Sequence, residues 1–225
     1  MRSFYEFEYA EAEEHFRLAI AANPNNAYAH DNYAFLLSFV GRTDEAIEHV
    51  RQAQRLNPSD PIMTLEVATV LMMNDRCDDA EREAQRGVTM DPSLQNSINV
   101  HAMALMCMGR YEDAIQELEP LMDAPEPITT VSKWLGHAYG KVGRHEDALR
   151  ILRIQENELR YPRGRAWVHL GLGQVDEAVE AYKDAISGME SLVVQDMRLW
   201  VWDELQDHPG YQELLRLVKL DQYVR

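Results

Sequence analysis

Basic residues, cysteine, glycine and proline are all scarce in this sequence. Twenty-two Lys and Arg stand against thirty-eight Asp and Glu, a formal charge of −16. Such a chain repels phosphate backbones and anionic lipid unless its cations gather on one surface. Nucleic acid and membranes are therefore not expected partners. Only two cysteines occur, Cys77 and Cys107, with no CxxC and no His/Cys cluster at metal spacing. Neither a zinc site nor a disulfide framework is indicated, and both are expected as buried free thiols of a reducing compartment. Eleven glycines and nine prolines in 225 residues leave no linker or low-complexity segment. The N-terminus carries Glu6, Glu8, Glu11, Glu13 and Glu14 where an export signal needs a basic end and an apolar stretch. Apolar runs such as residues 102–108 fall far short of the ~20 residues that cross a bilayer. A soluble, cytoplasmic chain is the expectation.

Catalytic signals are missing as well. The eight histidines are scattered without an HExxH or a triad-like grouping. Gly171-Leu172-Gly173 fails as a dinucleotide loop, because no strand precedes it and Asp176 stands where a third glycine belongs. No catalytic residue, cofactor or metal is expected, and the chain is not read as an enzyme.

What is present is a period. Ala12, Ala46, Ala80, Ala114, Ala148 and Ala178 follow one another at 34, 34, 34, 34 and 30 residues. The same phrase surrounds five of them, as in Gly41-Arg42-Thr43-Asp44-Glu45-Ala46 and Gly109-Arg110-Tyr111-Glu112-Asp113-Ala114. The glycine suits a left-handed helix C-cap, and the acidic pair suits the positive end of the next helix dipole. The phrase therefore predicts a corner between two helices, and the carboxylate pairs are helix starts rather than acid/base dyads. Pro24, Pro58 and Pro92 close the second helices, twelve residues after their alanines. Twelve residues before the corner alanine each first helix holds a small residue: Ala34, Ala68, Ala102, Gly136 and Ala166.

This pattern resembles the tetratricopeptide repeat, and Tyr33, Ala34, Leu37, Gly41, Ala46, Val50, Ala53 and Pro58 meet that family's spacing almost in full. Repeat three departs from it at Asp75 and Gly87, and repeat four has Glu126 between Pro125 and Pro127 where the closing proline belongs. The resemblance implies an all-α, right-handed α-α superhelix whose concave face is lined by the first helices. The units are a half repeat over 5–26, repeats over 27–60, 61–94, 95–128, 129–158 and 159–190, and capping helices over 191–225. Repeat six should have a short first helix, since its spacing is 30 and Pro162 and Gly164 stand within it. The segment from Leu205 to Leu217 looks like the closing segment of repeat arrays in bacterial signalling proteins, which usually follow a winged-helix, kinase or nucleotide-cyclase domain. The half repeat leaves an apolar face, including Phe4, Tyr5 and Phe7, to be covered by residues before Met1 or by self-association.

Repeat register directs a set of first-helix residues into the groove: Tyr28, Asn32, Phe35, Phe39, Met72, Asn99, Met103, Lys133, His137, Lys141 and Trp167, with Asp31, Leu65 and Arg163 beside them. Aromatic and thioether side chains there suit a protein or peptide partner, and the basic end suits an acidic group. Such a face makes the chain a protein-interaction scaffold. The alternative is a structural, oligomerising or regulatory array attached to an N-terminal signalling domain.

Overall fold

In the computed structural model, residues 8–122, 129–156, 161–188 and 192–223 are described. They form helices and turns, with no strand among the described residues. The order is α1 (Tyr9–Ala22), α2 (Ala27–Phe39), α3 (Thr43–Leu56), α4 (Pro61–Met72), α5 (Cys77–Met90), α6 (Gln95–Cys107), α7 (Tyr111–Met122), α8 (Thr129–Lys141), α9 (His145–Ile154), α10 (Pro162–Gly171), α11 (Val175–Ser187), α12 (Val193–Asp196), a 3-10 helix (Trp200–Leu205) and α13 (Pro209–Leu217). Helix α1 is the half repeat, and α2 to α11 are five antiparallel pairs. Successive first helices α2, α4, α6, α8 and α10 also touch one another, which makes them the inner wall of the superhelix.

The corner phrase has a repeated hydrogen-bond signature. Arg42, Arg76, Arg110, Arg144 and Gln174 each donate their backbone N–H to the carbonyl five residues back, on Leu37, Leu71, Leu105, Tyr139 and His169. This closure satisfies carbonyls at the helix end and requires a left-handed residue at the turn. Gly41, Gly109, Gly143 and Gly173 take it with φ between 73° and 78°. In repeat three Asp75 adopts φ 59° in the same role, which an L-residue does at a steric cost.

The corner alanines mark where two helices cross without room for a larger side chain. Ala46, Ala80, Ala114, Ala148 and Ala178 are fully enclosed, and Ala12 nearly so. The small residue of each first helix, from Ala34 to Ala166, is buried likewise, and at Gly136 the crossing is tighter still: a Cβ there would fall 2.6 Å from Val168. The second small position of repeat three is Gly87 because Leu65 occupies the space; a Cβ would lie 2.5 Å from its Cδ2. Helix α10 has ten residues, against thirteen in α2, α6 and α8, as the 30-residue spacing requires.

Second helices such as α3 and α5 bury one stripe only, but the first helices are enclosed on nearly every side. Helix α4 buries nine of its twelve residues. A helix apolar all round belongs in an interior, and here the outer pair and neighbouring repeats cover it on one side. On the other side lies the chain's own C-terminal segment. It starts from α11, crosses the inner wall through α12, which touches α2, and ends against α1. There the Tyr9 hydroxyl donates to the Val218 carbonyl at 2.7 Å, Tyr223 packs edge-on to the Tyr9 ring, and Lys219 pairs with Glu8. The half repeat is therefore met by the chain itself at Tyr9. Phe4, Tyr5 and Phe7 lie outside the described residues, as do Pro125, Glu126 and Pro127.

The cysteines correct an expectation. Cys77 begins α5 and Cys107 ends α6, its antiparallel neighbour, and the structure bonds them with a Cα–Cα separation of 5.6 Å. They are not free thiols. Disulfides persist in oxidising compartments, so the cysteines lend nothing to a cytoplasmic location. No helix among the described residues is long and apolar enough to cross a membrane.

Candidate partner-binding face

Counting back fifteen residues from each corner alanine gives one ladder along the inner wall: Asp31, Leu65, Asn99, Lys133 and Arg163. All five are buried, with exposures from 0% to 8%. Its basic end is filled. Asp196, from α12, lies between Lys133 Nζ at 3.3 Å and Arg163 Nε at 2.9 Å. The same carboxylate accepts from Trp167 Nε1 at 2.8 Å and from the Tyr182 hydroxyl at 3.2 Å. Lys133 also sits 3.8 Å above the Trp134 ring. A buried carboxylate needs such donors, because burial of an unpaired charge is strongly unfavourable. His137 completes this end: its Nδ1 is 3.0 Å from the Trp167 carbonyl, and burial, the larger influence, lowers its pKa to about 3, so the ring is neutral.

The acidic end of the ladder is different. Asp31 is 8% exposed, and its Oδ1 has no hydrogen-bond partner among the described residues. Burial pushes its pKa up to about 7. Glu66 stands on α4, one repeat further, at the register position of Asn32. Its pKa rises to about 8, chiefly through burial and then through the Asp31 and Asp60 carboxylates. Asn99 Oδ1 is likewise buried without a partner. Tyr28, 61% exposed, lies one turn before Asp31 on α2.

Of the eleven residues directed to an open groove, four are accessible. Tyr28 and Lys141 are exposed, and Asn32 and Phe35 are half-buried. The expected exposure of the other seven is corrected: Phe39, Met72, Asn99, Met103, Lys133, His137 and Trp167 are all buried. Phe39, Met72 and Met103 belong to the continuous apolar core. Lys133 and Trp167 are held by Asp196, and Trp167 also packs edge-on to Trp200 of the 3-10 helix. The acidic group expected to meet the basic end exists, but it is the chain's own. Asp196 lies beyond the repeats, where no register assigns it a place. Glu66 carries a signal in the sequence, its 34-residue offset from Asn32. Where the C-terminal segment passes repeats two and three it leaves a cavity of about 440 Å³ among Gly41, Met73, Asp75, Arg198, Trp202 and Tyr223. Among the described residues no group of three His, Cys, Asp or Glu is placed to hold a metal ion.

Comparison with known proteins agrees with this architecture. Four sequence models described as tetratricopeptide repeat match residues 15–48, 36–94, 134–153 and 164–187. No curated protein matches the chain. Among solved structures, PilW, a widely conserved type IV pilus biogenesis factor, superposes with TM-score 0.62 at 16% identity, over 87% of this chain and 93% of that one. A tetratricopeptide repeat protein from Parabacteroides merdae gives TM-score 0.57 at 14% identity, over 99% and 100%. MamA gives 0.51 at 14% identity, over 83% and 95%. At these identities the likeness concerns the fold.

Proposed function

Because the chain is a tetratricopeptide repeat protein, we propose that it acts as an interaction scaffold whose inner wall receives a peptide or protein partner in its N-terminal half, over Tyr28, Asn32 and Phe35. Arrays of this repeat are interaction scaffolds rather than enzymes. The observation that carries the reading is the seat of the C-terminal segment. Its Asp196 is gripped by Lys133, Arg163, Trp167 and Tyr182. This wall therefore holds a non-repeat segment of chain and reads a side chain on it. At the other end of the same wall an exposed tyrosine and a half-buried phenylalanine remain available, and accessible aromatic surface of this kind marks interaction sites. Lys141, exposed at the end of α8, lies outside the proposed patch.

The test is an array of synthetic twelve-residue peptides probed with the full chain. Tyr28→Ala with Phe35→Ser should weaken the captured peptides at least tenfold and leave helicity and melting temperature nearly unchanged. Capture indifferent to both substitutions would place the site elsewhere.

A further inference from the structure

Resting on that reading of the N-terminal half, we infer that the half of the wall formed by α2, α4 and α6 is a receptor for a basic side chain, an arginine or a lysine, carried by the partner. Three consecutive first helices bring hydrogen-bond acceptors there: Asp31, Glu66 and Asn99. An oxygen of Asp31 and one of Asn99 are buried with no donor, and Glu66 forms no hydrogen bond or ion pair with any described residue. The Asp31 carboxylate is among the groups that raise the pKa of Glu66, so the two side chains stand within electrostatic reach of one another.

Arginines of these repeats are engaged elsewhere. Arg42 pairs with Glu13 and Glu45, Arg51 with Glu83, Arg76 with Asp79, and Arg110 with Asp113, all at corners or second helices. Arg198 of the C-terminal segment donates to the Ser38 carbonyl at 3.2 Å. Asp31 is buried and Glu66 half-buried, and enclosing carboxylates without a donor or a countercharge is unfavourable, so an occupant bearing both is favoured over a neutral or acidic one. The filled half shows the logic in mirror image. There the array supplies the cations and the occupying segment supplies the acid; here the array supplies the acids, and the cation belongs on the occupant. Tyr28, three residues before Asp31 on the same helix, offers a ring face to a guanidinium or ammonium and to its aliphatic stem.

The experiment uses the peptides captured by the full chain. Each is resynthesised with every Arg as citrulline and every Lys as norleucine, and affinities are measured for the parent chain, for Asp31→Asn, and for Asp31→Asn with Glu66→Gln. We expect captured peptides to contain a basic residue, its neutral analogue to bind at least tenfold more weakly, and the doubly substituted chain to lose both affinity and discrimination. The peptide arm needs no variant, so it stands even where a variant misfolds. Peptides that depend on Tyr28 and Phe35 but ignore the basic residue overturn this inference and leave the N-terminal-half reading intact. No capture, or capture independent of Tyr28 and Phe35, overturns both. Calorimetry with Ca²⁺ and Zn²⁺ closes the last route. Binding of either ion that Asp31→Asn with Glu66→Gln abolishes, together with peptides that bind equally in neutral form, identifies a metal site instead.

Discussion

Fifteen residues before the corner alanine, repeats five and six carry Lys133 and Arg163, and repeat two carries Asp31, with Glu66 at the neighbouring register of repeat three. Both ends of the inner wall thus bury ionisable groups on the same scaffold. At one end Asp196 supplies the opposite charge. At the other end nothing in the described chain does, and the carboxylates answer by holding their protons near neutral pH. Register decides which way a side chain faces; whether that direction is open depends on what lies across it.

The largest effect that would break this contrast is at the filled end. Asp196→Ala removes the carboxylate shared by two buried cations, and losing one partner of a buried pair costs on the order of 3–5 kcal/mol. Denaturant unfolding should show that loss, and limited proteolysis should cut between α11 and α13 while the repeats stay intact. An unchanged midpoint would mean that the seat of the segment is apolar and the ionic contacts incidental.

Next comes the acidic half itself, where the Cys77–Cys107 bond ties repeat three to repeat four. Closing a loop of this length is worth about 3–4 kcal/mol through the entropy of the unfolded chain. Cys77→Ala with Cys107→Ala should lower the melting temperature without changing capture of peptides. Thiol titration of the unfolded parent chain, prepared without reductant, should find no reactive group. Two reactive groups would show that the bond is absent from the protein as prepared.

A smaller effect, opposite in sign with pH, belongs to the acidic end. The folded pKa of Asp31 is raised from 3.8 to about 7. Its contribution is therefore lost as pH rises from about 4 and levels off above about 7, because the unfolded chain releases the proton first. Asp31→Asn removes that slope, and its advantage over the parent should grow by on the order of 2 kcal/mol between pH 5 and pH 8. His137 at the other end works the opposite way. Its pKa is lowered to about 3, so its stabilisation is present above pH 6.5 and is lost as pH falls. Parallel pH slopes for Asp31→Asn and the parent would remove the contrast.

The smallest expected change is at the one corner without glycine. Asp75→Gly should stabilise the array by about 0.5–1 kcal/mol, since the left-handed φ of 59° then carries no Cβ penalty. Gly41→Asp is the reverse experiment, with a cost of similar size.

The helix pairs were legible because they are local. The glycine turn, the acidic helix start and the corner alanine act within a few residues of one another, and each repeat states them again. The small residues of the first helices, from Ala34 to Ala166, followed from the same register. Burial of Lys133 and Trp167 was not legible, because it depends on a non-repeating segment that has no period to align. The pairing of Lys133 with an acid was half visible: the chemistry was sound, but the acid was sought on a partner. For the cysteines, a separation of 30 residues without a CxxC carries no signal of a bond, which arises because the helix pairing brings the start of α5 beside the end of α6.

Arrays of this kind ordinarily depend on nearest neighbours, so that either end frays without disturbing the other. The hydrogen bond from Tyr9 to Val218 joins residues 209 positions apart and turns the line into a loop. Contacts so distant in sequence form late, after the repeats have condensed locally, because loop closure must first be overcome. Refolding should therefore show helicity returning in a fast phase, and protection of the Tyr9 hydroxyl environment only in a later one. The last event in this folding is the meeting of α1 with the segment that follows α13.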